Sequence, residues 1–158
     1  MKISMSLLMA VCLVVGCSSH QDNHVVTRKD SAMTKTKSPA SRKAVVLTAD
    51  QFEDMEVYFP IFRLLEEGWQ VTIAAPTMKA IHGEHGYGLE PDITIDKVNP
   101  DDYDLLIIPG GSPDGAPSTV RKIMKAQEIA KSFFAKNKPV AAICHGPYTV
   151  ISAGLVKG

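Results

Sequence analysis

Four short, almost uninterrupted apolar runs punctuate the chain, at residues 43–49 (KAVVLTA), 69–76 (WQVTIAAP), 103–111 (YDLLIIPGG) and 139–143 (PVAAI). A strand with one wet face alternates apolar and polar residues, whereas a strand buried on both faces reads as a continuous apolar run. Between these runs the period changes to that of helices. Residues 54–67 carry Val57, Ile61, Leu64 and Leu65 near helical spacing, with Gly68 placed to end the helix and Pro60 expected to bend or start part of it. Residues 118–138 put Val120, Ile123, Met124, Gln127, Ala130, Phe133 and Phe134 on one helical face, with Ser118 as N-cap. Residues 92–95 (DITI) offer a short strand within a Gly-, Asp- and Pro-rich stretch, and Pro147 to Ser152 open a further helix. Buried strands separated by helices predict an α/β fold: a three-layer sandwich around a mainly parallel sheet. Ligands of such sheets bind beyond the carboxyl ends of the strands. That edge gathers residues 50–53, 109–112 and 144–146.

The last of these stretches, Ala142-Ile143-Cys144-His145-Gly146-Pro147, has the form of a strand-to-helix elbow that lifts a nucleophile out of the sheet. The close turn asks for small flanking residues, and Pro147 suits a first helical position, where no N–H bond is needed. A thiol at a helix N-terminus feels partial positive charge, which favours thiolate. The alternative is a buried cysteine filling a core gap, which leaves the following His-Gly-Pro unexplained.

The N-terminal segment has a different character. Residues 1–17 (MKISMSLLMAVCLVVGC) place Lys2 before an apolar run too short to span a bilayer, as in an export signal. The run ends in Leu-Val-Val-Gly-Cys, which resembles the bacterial lipoprotein box and makes Cys17 the expected lipidation site, tethering the protein to the cell envelope. Cys12 would leave with the signal and Cys17 would be capped, so Cys144 remains as the single free thiol and a disulfide framework is excluded. Residues 18–42 are rich in Ser, Thr and charge, with five basic and two acidic side chains and no apolar period, as in a disordered linker. Residues 44–158 carry ten basic and fifteen acidic side chains. A mildly acidic body with no Lys/Arg stripe argues against nucleic acid as the main partner. His82, Glu84 and His85 lie in a Gly-rich stretch without a further ligand nearby, so no metal is expected there. Tyr87 and Trp69 read as packing residues.

The stretches AAICHGP, DQFEDME, HGYGLEPDITIDKVNPDDYDLLIIPGG and NKPVAAICHGPYTVISAGLVKG together resemble the ThiJ/PfpI family of the class I glutamine amidotransferase-like superfamily, over essentially all of residues 43–158. The resemblance implies a flavodoxin-like sandwich. It makes Cys144 the nucleophile, His145 the histidine that follows it, and Glu53 of the FED stretch the carboxyl group that hydrogen-bonds the sulfur. Without the resemblance, Glu53 reads as a helix-start carboxylate. Gly110 and Gly111 resemble the family's tight turn, whose amides can stabilise an oxyanion, and Gly146 of the elbow is grouped with them as an oxyanion- or substrate-binding position. Several relatives finish a Cys-His-acid triad with a carboxylate from a neighbouring subunit. Here the corresponding position falls near Ser118, and Asp114 is the nearest substitute. The resemblance further implies a homo-oligomer, and family members continue beyond the point corresponding to Gly158 through further strands and a helix.

The enzyme reading that follows is addition of the Cys144 thiolate to small 2-oxoaldehydes or their protein adducts, a glyoxalase- or deglycase-like activity without metal, flavin or nucleotide. Alternatives are a cysteine peptidase or hydrolase, and a non-enzymatic redox sensor or chaperone in which Cys144 oxidises to a sulfinate. A fourth outcome is an inactive paralogue.

Overall fold

The computed structural model describes Ser38 and residues 41–156. The segment expected to be an export signal, Cys17 and nearly all of the expected linker lie outside the described residues. The five-stranded sheet is parallel throughout, in the order β5-β2-β1-β6-β7. Its strands are β1 (Lys43–Leu47), β2 (Gln70–Ala75), β5 (Ile93–Thr94), β6 (Leu105–Ile108) and β7 (Val140–Ala142). Helix α1 (Asp54–Glu66) connects β1 to β2, and α2 (Ala116–Lys122) and α3 (Met124–Ala135) connect β6 to β7. Helix α4 (Pro147–Ser152) follows β7. Two very short strands, β3 (Ile81–His82) and β4 (Gly88–Leu89), form a separate antiparallel hairpin where the sequence suggested only a loop.

The chain winds outward from β1 in both directions, first to β2 and β5, then back across to β6 and β7. Crossovers of one hand that run in opposite directions place their helices on opposite faces of the sheet. The expected three-layer sandwich is therefore realised, and the order reverses between β1 and β6, where such sheets open a crevice. Val45, Val46 and Leu47 are all fully buried, as are Leu106, Ile107 and Ile108, so neighbouring residues pointing to both faces are covered. This is the physical meaning of the uninterrupted apolar runs.

Helix α1 runs through Pro60 without interruption, because the proline deprives only the Glu56 carbonyl of an intrahelical partner. It ends as the sequence predicts: Gly68 has φ 76°, and its N–H donates to the Leu65 carbonyl at 3.0 Å. The long helix expected over 118–138 is instead two helices broken at Ile123, whose ψ of 111° leaves the helical region. The Gln127 side chain donates to the Arg121 carbonyl at 2.7 Å, satisfying a group that the break orphans. Ser118 lies inside α2, and Gly115 occupies the N-cap. The break also resets the buried face. Ala126, Ile129, Ala130 and Phe133 point into the core, whereas Met124 is 64% exposed and Phe134 39% exposed, so these two leave the face the sequence assigned them.

Phe133 and Phe134 therefore separate the two helical registers. Phe133→Ala should destabilise by about 3–5 kcal/mol, and Phe134→Ala by about 1 kcal/mol or less. Chemical denaturation of the two variants checks the difference, and equal losses would restore the single-helix register.

Candidate active site

Ile143 closes β7 by donating its N–H to the Ile108 carbonyl at 3.0 Å, and the next residue, Cys144, turns sharply with φ 52°. A non-glycine residue held at positive φ stores strain that its surroundings must maintain. Gly146 supports the turn by close approach: a Cβ there would collide with the Ile108 carbonyl oxygen. Its N–H is spent on the Ile143 carbonyl at 2.7 Å, so Gly146 shapes the elbow and offers no donor to a substrate, contrary to the binding role expected of it. The result is an exposed thiol at the end of the sheet, not a core filler.

The carboxyl group at the sulfur comes from Glu56, not Glu53. Helix α1 begins at Asp54, so its first inward turn carries Glu56 toward the β6 loop. There Oε2 accepts the Gly110 N–H at 2.7 Å, and the carboxylate also meets the Cys144 thiol. Glu53 is the N-cap, its Oε2 accepting the Glu56 N–H at 2.7 Å, which is the helix-start role its position allowed. Gly110 must lack a side chain, since a Cβ would stand 2.7 Å from Glu56 Oε2 and 2.9 Å from Cys144 Cβ. With its N–H committed to Glu56, Gly110 is not free to serve an oxyanion. The N–H groups of Gly111 and His145 are directed at the sulfur instead.

Loss of water around the sulfur, then the charge of Glu56 and a hydrogen bond to it, push the Cys144 thiol up from its ordinary value, while the two amides pull it down. The helix-terminus effect expected from sequence thus arrives through individual amides and is outweighed. The thiol thus sits above its ordinary value, with the Glu56 carboxylate as its hydrogen-bond partner.

His145 presents Nδ1 at 3.4 Å from Sγ and 3.0 Å from the Gly111 carbonyl oxygen. A carbonyl only accepts, so Nδ1 carries the hydrogen and Nε2 is the basic nitrogen of the neutral ring. Tyr148 lies against the imidazole with ring centroids 5.2 Å apart, and the Arg121 guanidinium sits over Tyr148 at 5.2 Å while donating to Ser152 Oγ. Neither Ser118 nor Asp114 is seen to contact the ring.

Cys144 and His145 open into a cleft of about 460 Å³ that is also lined by Gln51, Glu53, Glu84, Gly111, Ser112 and Pro113. Glu84 belongs to the β3–β4 turn, and that turn is fastened by Asp54, a buried carboxylate that sequence reasoning overlooked. Asp54 accepts the N–H groups of His85 at 2.9 Å and Tyr87 at 3.1 Å, and lies 3.2 Å from His85 Nδ1. Burial alone would raise its pKa, but these hydrogen bonds and the His85 charge outweigh that and lower it. Tyr87 is 65% exposed and only edge-packs on Tyr58, a looser role than the packing expected of it. The signal that would have located Glu56 is helical phase: it lies three residues after the cap, on the turn that faces the sheet end.

Residues 42–158 match the DJ-1/PfpI family model, and the chain belongs to that family. Among curated relatives it is 50% identical over 116 residues to deglycase PfpI of Pyrococcus furiosus, covering 73% of this chain and 68% of that protein. It is 37% identical over 123 residues to protein/nucleic acid deglycase 2 of Escherichia coli, covering 75% and 68%. A putative cysteine protease, YraA of Bacillus subtilis, is 40% identical over 119 residues, covering 75% and 69%. Among solved structures, oxidized DJ-1 of Toxoplasma gondii superposes with a TM-score of 0.67 at 28% identity, covering 74% of this chain and 64% of that one. A two-domain protein of Anabaena variabilis with DJ-1/ThiJ/PfpI-like and ferritin-like domains gives 0.70 at 28% identity, over 74% of this chain and 33% of that one. The chain therefore spans about two thirds of its curated relatives and a third of the two-domain protein.

If Glu56 is the charge that holds the thiol up, Glu56→Gln should shift the pH profile of Cys144 alkylation to lower pH, while Glu53→Gln leaves it in place. Mass spectrometry of the Cys144 peptide across a pH series measures both. A shift in Glu53→Gln alone would return the carboxyl role to Glu53.

Proposed function

We propose that this protein is a cysteine-dependent deglycase-like enzyme acting on small 2-oxoaldehydes or their adducts on proteins. The observation that carries the reading is the exposed Cys144 thiol, strained upward at φ 52°, hydrogen-bonded to Glu56 and met by the Gly111 and His145 amides within an open cleft. Support also comes from the deglycase names of relatives up to 50% identical.

Cys144 sulfur attacks the aldehyde carbon as its proton passes to Glu56, so a C–S bond forms and the carbonyl π pair moves to oxygen. That oxygen takes a proton, giving a hemithioacetal. The C–H proton of this carbon is then removed and returned at the adjacent carbonyl carbon, through an enediol. Glu56 and His145 Nε2 are the bases at hand. The product is a thioester of a 2-hydroxy acid, which water cleaves to free the thiol. One carbon is oxidised and its neighbour reduced, so aldehyde plus water gives 2-hydroxy acid with no external oxidant. For an amine adduct the C–N bond breaks first, and nitrogen leaves with a proton. A raised thiol suits this route, because the carboxylate acts as general base during attack.

The peptidase alternative needs His145 to collect the thiol proton and deliver it to a departing amine. The nitrogen facing the sulfur already carries its hydrogen toward Gly111 O, which weighs against that reading.

Lactate release from methylglyoxal by the full chain should fall to background in Cys144→Ala. It should drop by about 10²–10⁴-fold in Glu56→Ala, the range expected for loss of a general base. Undiminished release in Cys144→Ala would reject the mechanism.

We further propose that Cys17 carries lipid and holds the catalytic domain at the cell envelope, on the strength of the Leu-Val-Val-Gly-Cys box. Palmitate labelling in a bacterial host should disappear in Cys17→Ser and persist in Cys144→Ala. Labelling that survives Cys17→Ser would remove the anchor.

A further inference from the structure

We propose that Glu53 and Glu84 make the Cys144 cleft select electrophiles borne on a cation over anionic ones. The inference rests on the aldehyde-adduct reading above and adds a charge criterion to it.

The charges at the cleft are one-sided. Glu53 and Glu84 stand in its wall, Glu56 lies against the sulfur, and no Lys or Arg lines it among the described residues. Arg121 is engaged with Tyr148 and Ser152. The neighbouring titratable groups are His145, whose Nδ1 points to the Gly111 carbonyl, and His85, whose Nδ1 is 3.9 Å from Glu53 Oε1.

The Glu53 carboxylate is held in place, and so is the backbone that carries Glu84. Glu53 is pinned by accepting the Glu56 N–H at the start of α1. The Glu84 N–H donates to the Phe52 carbonyl at 2.8 Å, and a parallel bridge joins Phe52 to Gly83. On the far side of the turn, Asp54 holds the His85 and Tyr87 amides. Gly83 is required for this clasp, because a Cβ there would strike the Asp54 carboxylate. Charges held in position lose little entropy when a cation docks, so their field separates substrates by sign. A carboxylate or phosphate near the reacting carbon would be repelled by the same groups.

Charge-selective thiol reagents test this without relying on turnover. Modification of Cys144 in the full chain is timed with a trimethylammonium-ethyl and a sulfonato-ethyl methanethiosulfonate, reading the Cys144 peptide by mass spectrometry. The ratio of the two rates cancels the thiolate fraction. Normalised to 2-mercaptoethanol, it should favour the cationic reagent by about tenfold or more at low salt and shrink as salt is added. Glu84→Gln and Glu53→Gln should each lower it, and Glu84→Lys should lower it further. A ratio equal to that of the free thiol, or one indifferent to salt and to both glutamine variants, overturns the proposal. A retained charge ratio without any turnover would instead defeat the aldehyde chemistry while leaving the selection by charge standing.

Discussion

The Glu56 carboxylate joins three separate pieces of the chain at one point. It projects from the first turn of α1, accepts the Gly110 amide beyond β6, and meets the Cys144 sulfur beyond β7. Each of those pieces is awkward alone: a helix start, a paired-glycine turn, and a cysteine forced to positive φ. Bringing them together satisfies a buried-side amide and gives the strained thiol a proton acceptor. Strain at a functional residue persists only where the surroundings over-determine it, and here the carboxylate acts beside the close approach of Gly146 to the Ile108 carbonyl.

The sheet makes that meeting possible. Because the strand order reverses between β1 and β6, the loops leaving those strands diverge to opposite faces and leave a crevice between them. Helix α1 departs from one side of this crevice, and β7 delivers Cys144 beside β6 on the other. The β3–β4 hairpin then closes the rim, held by the buried Asp54 carboxylate against the start of α1. Consecutive residues Glu53 and Asp54 and the nearby Glu56 thus do three different jobs: capping, fastening the hairpin, and hydrogen-bonding the sulfur.

The relation between thiol and carboxylate also decides which chemistry the site suits. A thiol lowered by a helix terminus would act as a free thiolate. A thiol raised by a facing carboxylate has instead a hydrogen-bond acceptor beside it, the arrangement on which the proposed general-base route rests. His145, turned toward the Gly111 carbonyl, orients the sulfur and keeps Nε2 available, while Tyr148 and Arg121 occupy the space around its ring.

The apolar runs alone determined the parallel α/β sheet, since only strands covered on both faces can dispense with alternation, and the small-residue pattern around Cys144 marked the elbow. The end of α1 at Gly68 was equally local, being a matter of one residue's tolerance for positive φ. Tertiary structure decided the rest. Three carboxylates within four residues, Glu53, Asp54 and Glu56, look interchangeable in sequence, and only the phase of α1 against the sheet end chooses which one reaches the sulfur. The break at Ile123 was likewise hidden, because a helical period continues across it and the compensating Gln127 bond joins residues six apart. Periodicity reports which face of an element is apolar; it carries no information about which partner that face will meet.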